Sequence, residues 1–193
     1  MSTMEREIVR EAIETHRKMV AAFEASAVDT ILAAAEMIVQ SLRAGGTIYL
    51  CGNGGSAADA QHIAGEFVGR FRAERRALPA VALSTDTSVL TCIANDYDYE
   101  RVFARQVEAL VRPGDILWAF STSGTSPNVL KAAEAARAKG ARVLAFTGRA
   151  NSKLEAAAGL CFCAEASLTA RSQELHQLAY HIICDLVERN FRE

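Results

Sequence analysis

From Thr47 onward the chain repeats one unit: a short run of consecutive apolar residues followed by a stretch with helical periodicity. The runs are Ile48-Tyr49-Leu50-Cys51, Ala80-Val81-Ala82-Leu83, Ile116-Leu117-Trp118-Ala119-Phe120 and Val143-Leu144-Ala145-Phe146. A strand with one wet face alternates apolar and polar residues, whereas these are apolar at every position and so need cover on both faces, as buried parallel strands do. A fifth and shorter run, Leu160-Cys161-Phe162-Cys163, reads as an edge strand. This grammar predicts a doubly wound, mainly parallel five-stranded α/β sheet with helices on both faces, in the flavodoxin-like manner. Ahead of it, Ile8, Val9, Ala12, Ile13, Val20 and Phe23 form one helical stripe, and Val28, Ile31, Leu32, Ala35, Ile38, Val39 and Leu42 form a second. Ser26 with Asp29 is expected to cap the second helix and Gly45-Gly46 to stop it, so a helical hairpin precedes the sheet. At the other end, Gln173 to Arg189 reads as one long amphipathic helix with Leu175, Leu178, Ala179, Ile182, Ile183, Leu186 and Val187 on its apolar face.

A chain of 193 residues, 50% hydrophobic and 23% charged, has material for one sizeable core. The expected organisation is a single domain over residues 1–193, with 1–45 as its helical extension. Lys plus Arg number 21 against 23 Asp plus Glu, a net charge of −2 that argues against binding a phosphate backbone non-specifically. Five cysteines, an odd number without a C-x-x-C pair and mostly inside apolar runs, read as reduced core thiols and point to a cytoplasmic location. The opening Met1-Ser2-Thr3-Met4-Glu5-Arg6-Glu7 lacks the apolar core of a secretory signal, and no stretch approaches the roughly 18 apolar residues of a membrane span. Neither nucleic acid nor membrane is expected as a partner. The basic cluster Arg70, Arg72, Arg75 and Arg76, interrupted by Glu74, reads as a solvated loop.

In open α/β sheets ligands bind where strand carboxyl ends meet helix amino ends, because free backbone N–H groups and helix dipoles converge there. Two loops have suitable chemistry. Ser121-Thr122-Ser123-Gly124-Thr125-Ser126-Pro127 supplies five hydroxyls in six positions around a glycine. Ser126 is suited to an N-cap and Pro127 to the first helical position, but a cap needs only one hydroxyl, while five suit the several oxygens of a phosphate monoester. The other loop, Gly52-Asn53-Gly54-Gly55-Ser56-Ala57, satisfies G-x-G-x-x-A formally. A dinucleotide site also wants an acidic residue about 20 positions on, and Asp86 comes too late for it. No G-x-x-x-x-G-K-[ST] occurs, which disfavours a P-loop nucleoside triphosphatase.

The helix expected to open at Ser56 carries Asp59, His62 and Glu66 among apolar neighbours, with His62 and Glu66 sharing a face at i and i+4. In the last helix Gln173, Gln177 and His181 recur every four positions opposite the apolar stripe. Each set alone is consistent with a solvated face. Together with a phosphate loop they could assemble ligands for zinc or a similar first-row ion, or a carboxylate and an imidazole for proton transfer. Both roles stay open on the residues alone. His16 has no acidic or thiol partner in metal-like spacing and reads as structural; His176 is also available.

The segments from Cys51 through Gly54-Gly55-Ser56, Asp59, His62 and Glu66 to Phe67, then Ala94-Asn95-Asp96-Tyr97, the serine loop, and Gln173-Glu174-Leu175-His176 through His181 closely resemble the sugar isomerase (SIS) domain family, and within it the sedoheptulose 7-phosphate isomerases, or phosphoheptose isomerases. The resemblance runs essentially end to end. It implies conversion of sedoheptulose 7-phosphate into an aldoheptose 7-phosphate through an enediol, the entry to heptose synthesis for bacterial surface glycans such as lipopolysaccharide. It implies zinc, one ion per subunit, at His62, Glu66, Gln173 and His181. Substrate contacts are implied at Asn53, Gly54, Gly55, Ser56, Glu66, Asn95, Asp96, Ser121, Thr122, Ser123, Ser126 and Gln173. Glu66 and His181 are the implied proton-transfer pair, and a homotetramer with sites shared between subunits is the implied assembly.

One departure is visible in Ser167-Leu168-Thr169-Ala170-Arg171-Ser172, where the family more usually has an apolar residue before the glutamine and sometimes an acidic one earlier. Ser172 is expected to affect packing more than chemistry. A related branch uses the same domain as a non-catalytic tetrameric scaffold for the bacterial replication initiator, and tends to replace the residues matching Glu66 and His181. This chain retains both. A sugar-phosphate-sensing regulator would ordinarily add a DNA-binding module, and the first 45 residues hold no basic recognition helix.

Overall fold

The computed structural model describes residues 2–192, so Met1 of the opening segment and Glu193 lie outside the described residues. The chain opens with α1 (Thr3–Ser26) and α2 (Val28–Arg43), then alternates: β1 (Ile48–Cys51), α3 (Gly55–Val68), β2 (Ala80–Ala82), α4 (Thr87–Asp96), a 3-10 turn at Tyr99–Arg101, α5 (Ala104–Leu110), β3 (Ile116–Ser121), α6 (Pro127–Ala138), β4 (Arg142–Thr147), α7 (Lys153–Ala157), β5 (Leu160–Cys163) and α8 (Thr169–Arg189). All five strands pair in parallel in the order β2-β1-β3-β4-β5, with Leu50 beside Trp118 and Trp118 beside Leu144. The order reverses between β1 and β3, and the loops after those two strands are the glycine loop and the serine loop. The topological switch point, where open sheets bind ligands, therefore falls between them.

Two cores sandwich the sheet. Ile48, Leu50, Trp118, Phe120, Phe146 and Phe162 pack against α2, α3 and α8, while Cys51, Leu117, Ala119, Val143 and Ala145 pack against α5, α6 and α7. This explains the runs apolar at every position: successive residues of β3 point to opposite faces, and both faces are covered.

Several local expectations are corrected. Ala27, not Ser26, is the N-cap of α2, and the Ser26 hydroxyl donates backward to the Ala22 carbonyl at 3.0 Å, with Asp29 left in the first turn. The stripe on α1 divides: Val20 and Phe23 are half-buried and pack on the core, with Phe23 5.7 Å from Phe162, whereas Ile8, Val9 and Ile13 are exposed. β2 ends one residue earlier than expected, and α8 starts at Thr169 rather than Gln173. Of the five free thiols only Cys51 and Cys184 are buried; Cys161 and Cys163 are half-buried and Cys92 is exposed.

The basic cluster is not simply a solvated loop either. Arg75 is buried, and its guanidinium donates to the carbonyls of Glu66, Gly69 and Arg76 at 2.7–2.9 Å, tying down the end of α3. The carboxylate of Glu188, near the end of α8, accepts backbone N–H bonds from Phe71, Arg72 and Ala73 at 2.8–3.1 Å. Burial pushes that carboxyl up, but the three N–H donors and Arg192 outweigh it and hold its pKa at about 2. The loop after α3 is thereby clamped to α8.

Candidate functional site

The serine loop and the glycine loop face one another across a pocket of about 300 Å³ lined by Asn53, Gly54, Gly55, Ser56, Phe120, Ser121, Thr122, Ser126, Thr169 and Gln173. The strand ends dictate this meeting, since Cys51 of β1 pairs with Ala119 of β3 and the two chains leave the sheet side by side. Gly54 has φ +56° and Gly124 φ +64°, in the left-handed region that glycine enters without penalty. A Cβ on Gly124 would also collide with Ser152, and one on Gly55 would sit 2.5 Å from the Gln173 amide nitrogen. The last contact shows how α8 closes the pocket: Gln173 lies directly on the glycine turn.

Within the loop the Ser121 hydroxyl is 2.9 Å from that of Ser126 and 3.3 Å from that of Ser123. Ser126 occupies the N-cap position of α6 with Pro127 behind it, but its side chain makes no cap bond, which corrects the expectation of a hydroxyl cap. The hydroxyl faces Ser121 instead. Ser123 is exposed and accepts from the backbone N–H of Thr125 at 3.2 Å. On the facing loop, the amides of Asn53 and Asn128 exchange two hydrogen bonds of 2.9 and 2.8 Å, and the Tyr99 hydroxyl donates to Asn53 Oδ1 at 3.3 Å. Asn128 is buried and orients Asn53, a role the sequence reading missed. The helix expected to open at Ser56 begins one residue earlier, with Gly54 as its N-cap.

Farther along α3 stands the ionisable cluster. His62 Nε2 is 3.0 Å from Glu66 Oε1 and 3.5 Å from His181 Nε2, although His62 and His181 are 119 residues apart. One ligand atom from each of the three lies within 4.8 Å of the others. Two imidazoles and a carboxylate at such separations match the donor set and spacing of a first-row divalent cation. Burial, then the neighbouring His62, lowers the pKa of His181, partly offset by Glu66. Beneath the cluster, Tyr180 is fully buried, with its hydroxyl 3.3 Å from Asp59 Oδ1 and 3.1 Å from His62 Nδ1. Burial and the Asp59 carboxylate raise the Tyr180 phenol well above its usual range, and burial raises Asp59. Phe71, delivered by the clamped loop, lies against the His181 ring at 5.6 Å.

Gln173 and His181 lie two helical turns apart on one side of α8, their Cα atoms about 12 Å apart at roughly 1.5 Å rise per residue. Gln173 thus stands at the pocket end of a polar strip that leads along α8 to His181. Asn95 and Asp96, at the end of α4, are exposed and are not among the pocket's walls; Asp96 lines a separate cavity of about 650 Å³ between β2, α4 and α5. Ser172 is buried and packs on Gly148. His16 does find an acid, in space rather than in sequence: its Nδ1 is 2.7 Å from Glu174, so it fastens α1 to α8. His176 is buried against the aromatic core and bonds to the Thr147 carbonyl at 2.9 Å.

Comparison with known proteins agrees with this architecture. The SIS domain family model matches residues 13–148. The phosphoheptose isomerase of Roseiflexus sp. is 52% identical over 187 residues, covering 97% of this chain and 89% of that protein. Among solved structures, the phosphoheptose isomerase of Neisseria gonorrhoeae superposes with a TM-score of 0.90 at 42% identity, covering 95% of this chain and 98% of that one. That of Francisella tularensis gives 0.92 at 31% identity, covering 98% and 100%. With both ligand loops at the switch point and this similarity over nearly its whole length, the chain belongs to the SIS domain family and, within it, to the phosphoheptose isomerases.

Proposed function

We propose that this isomerase, an intramolecular oxidoreductase of phosphorylated sugars, converts sedoheptulose 7-phosphate into D-glycero-D-manno-heptose 7-phosphate in the cytoplasm, the first step of heptose synthesis for bacterial surface glycans. The observation that carries the reading is the approach of His62, Glu66 and His181 at one end of a polar strip whose other end, at Gln173, closes a hydroxyl-lined pocket. The phosphate occupies the pocket, held by Ser121, Thr122, Ser123, Ser126 and the glycine-turn backbone of Asn53, Gly54, Gly55 and Ser56, at the amino ends of α3 and α6 where helix dipoles favour an anion. An extended sugar chain then runs along α8 towards the cluster.

Isomerisation moves one proton between adjacent carbons by way of an enediol. Glu66 takes the proton from C1 and returns it to C2, and His181 passes the hydroxyl proton between O1 and O2. His62, Glu66 and His181 are suited to hold zinc, one ion per subunit, and Gln173, two turns before His181 on the same helix, would complete the set by reaching along α8 from the glycine turn. A cation there would polarise the carbonyl and stabilise enediolate charge. Asn95 and Asp96, standing outside the pocket of their own chain, serve a neighbouring copy. The exposed apolar stripe of α1 gives that copy a surface to bury, in keeping with a homotetramer and a single domain over residues 1–193 whose first 45 residues form the extension.

The test is incubation of zinc-replete protein with sedoheptulose 7-phosphate, followed by NMR of the sugars. New aldoheptose anomeric signals are expected; none would turn the reading towards a non-catalytic scaffold for the replication initiator. Ser121→Ala with Ser123→Ala should raise KM strongly, and an unchanged KM would move the phosphate out of this loop.

A further inference from the structure

The rings of Tyr180, His62 and His181 meet edge to face at the cluster. Tyr180 lies edge to face against both His62, at 5.6 Å between centroids, and His181, at 4.7 Å. Packing alone would be served as well by phenylalanine. The phenolic oxygen, however, sits in a fully buried position between two partners with different demands. Asp59 Oδ1, at 3.3 Å, belongs to a carboxylate, which can only accept a hydrogen bond, so the single tyrosyl proton is directed to it. The phenolic lone pair then faces His62 Nδ1 at 3.1 Å and accepts from it.

We propose that Tyr180 and Asp59 are positioning residues for His62, forming a chain in which His62 Nδ1–H donates to Tyr180 and Tyr180 donates to Asp59. The chain fixes two properties of the imidazole. It sets the ring's rotation, and it keeps the proton on Nδ1, so that Nε2 is the nitrogen turned to Glu66 and His181, at 3.0 and 3.5 Å. A carboxylate at the end of such a chain also makes the imidazole a better donor of its Nε2 electron pair, as outer hydrogen-bond partners of metal-bound histidines do. The sequence supports the arrangement economically: Asp59 precedes His62 by one helical turn on α3, and Tyr180 immediately precedes His181 on α8, so the two helices that bring the ligands also bring what orients them. The other Asp59 oxygen, Oδ2, has no hydrogen-bond partner among the described residues, so the Tyr180 hydroxyl is the donor to which this carboxylate is directed.

This inference rests on the reading of His62, Glu66 and His181 as a divalent-cation site, and the test separates the two. Zinc affinity is measured by competition with a chelator on wild type, Tyr180→Phe, Asp59→Asn and the double variant, each first checked for an unchanged circular dichroism spectrum. Tyr180→Phe keeps the ring and is expected to weaken zinc binding by about ten- to a hundred-fold, the usual effect of removing an outer partner. The double variant should lose little more than Tyr180→Phe, because the two residues act through one chain. The second readout needs no metal: nitrogen NMR of the zinc-free protein should show His62 Nδ1 protonated in wild type, and a mixture of tautomers or rapid Nδ1 proton exchange in Tyr180→Phe. Equal zinc affinity together with unchanged imidazole resonances overturns the proposal. If wild type takes up no zinc, the cation reading falls, and the resonances alone decide the chain: a change in Tyr180→Phe upholds it and identical spectra remove it.

Discussion

The two faces of the sheet are built from different stock. On the α2, α3 and α8 side, Trp118, Phe120, Phe146 and Phe162 form a ladder with neighbouring ring centroids 4.9–5.6 Å apart, and buried His176 leans on it 5.4 Å from Phe146. On the other side Ala119 and Ala145 of the strands meet Ala132, Ala133 and Ala136 of α6, all fully buried. Large rings fill the first layer and hold α3 and α8 over a broad surface, on which polar groups can be mounted: the His62, Glu66 and His181 cluster, the Tyr180 chain and the Glu188 clamp. Small residues let α6 approach the sheet closely, and its part in the site is played by its amino end alone. One face therefore carries ionisable chemistry, and the other carries geometry.

The largest effect expected from this division is on turnover. Glu66→Gln preserves shape and removes the basic oxygen, and should lower kcat by roughly a hundred- to ten-thousand-fold at equal zinc occupancy. Exchange of the C1 proton with deuterated solvent is the direct measurement. A variant that still exchanges at the wild-type rate would leave the base to be sought in His181 and would break the assignment of proton chemistry to the aromatic face.

Acid should also act on that face first. Burial lowers the pKa of His176 to about 4 from an ordinary 6.5, only partly opposed by its bond to the Thr147 carbonyl. Between these values the unfolded chain binds the proton and the folded one does not, so stability is fully present above about pH 6.5 and falls as the pH drops towards 4, by about 3 kcal/mol in all. Glu188, depressed to about 2 from 4.5, adds a second loss of similar order as the pH falls from about 4.5 through 2. Denaturant unfolding at a series of pH values should show both slopes, with His176→Leu flattening the first and Glu188→Gln the second. A wild-type profile flat from pH 6.5 to 4 would contradict the neutral burial of His176.

Much of the fold was legible because both-sided burial writes itself into consecutive residues: the five strands lie where their apolar runs lie, to within a residue. The assignment of helices to faces was not, since a helix of either face shows the same 3.6-residue period. The i, i+4 spacing put His62 and Glu66 on one helix face, but bringing in His181 from 119 residues away took tertiary structure as well as resemblance. Tyr180 carried no such spacing signal, since its partners Asp59 and His62 lie on another helix more than a hundred residues away. Glu188 left a fainter sign: it falls four residues after buried Cys184, on the face α8 turns inward, and an acid in that register needs a partner. The stripe on α1 was legible as a helix, but its period did not tell that Val20 and Phe23 pack on the core while Ile8, Val9 and Ile13 stand exposed.

The alanine face should show its nature by intolerance of volume. Ala133→Leu inserts three carbon atoms between α6 and the sheet, where Ala133 has no exposed surface, and should cost about 1–3 kcal/mol by forcing the helix outward. KM should rise with it, because the displaced amino end of α6 carries the serine loop. Unchanged stability would mean that α6 is free to move, and the contrast between a rigid ringed face and a closely packed small one would lose its basis.

The smallest expected difference is between two serines on this same face. Ser152 and Ser126 both occupy the position just before a helix, α7 and α6 respectively. The Ser152 hydroxyl accepts from the Glu155 N–H at 3.3 Å in a capping box, whereas the Ser126 hydroxyl makes no such bond and faces Ser121 at 2.9 Å. Ser152→Ala should therefore cost about 1 kcal/mol in unfolding free energy, a usual loss for a true cap. Ser126→Ala should stay within about 0.5 kcal/mol, as substitutions outside such features do, while still weakening the binding of a phosphorylated sugar measured by calorimetry. Two equal losses of stability would return Ser126 to the role of a cap. A small loss with undiminished binding would place the phosphate elsewhere. A small loss of stability joined to a clear loss of affinity is the pattern that follows if the opening of α6 is arranged for a ligand, with its hydroxyl held by a neighbouring serine instead of being spent on the helix.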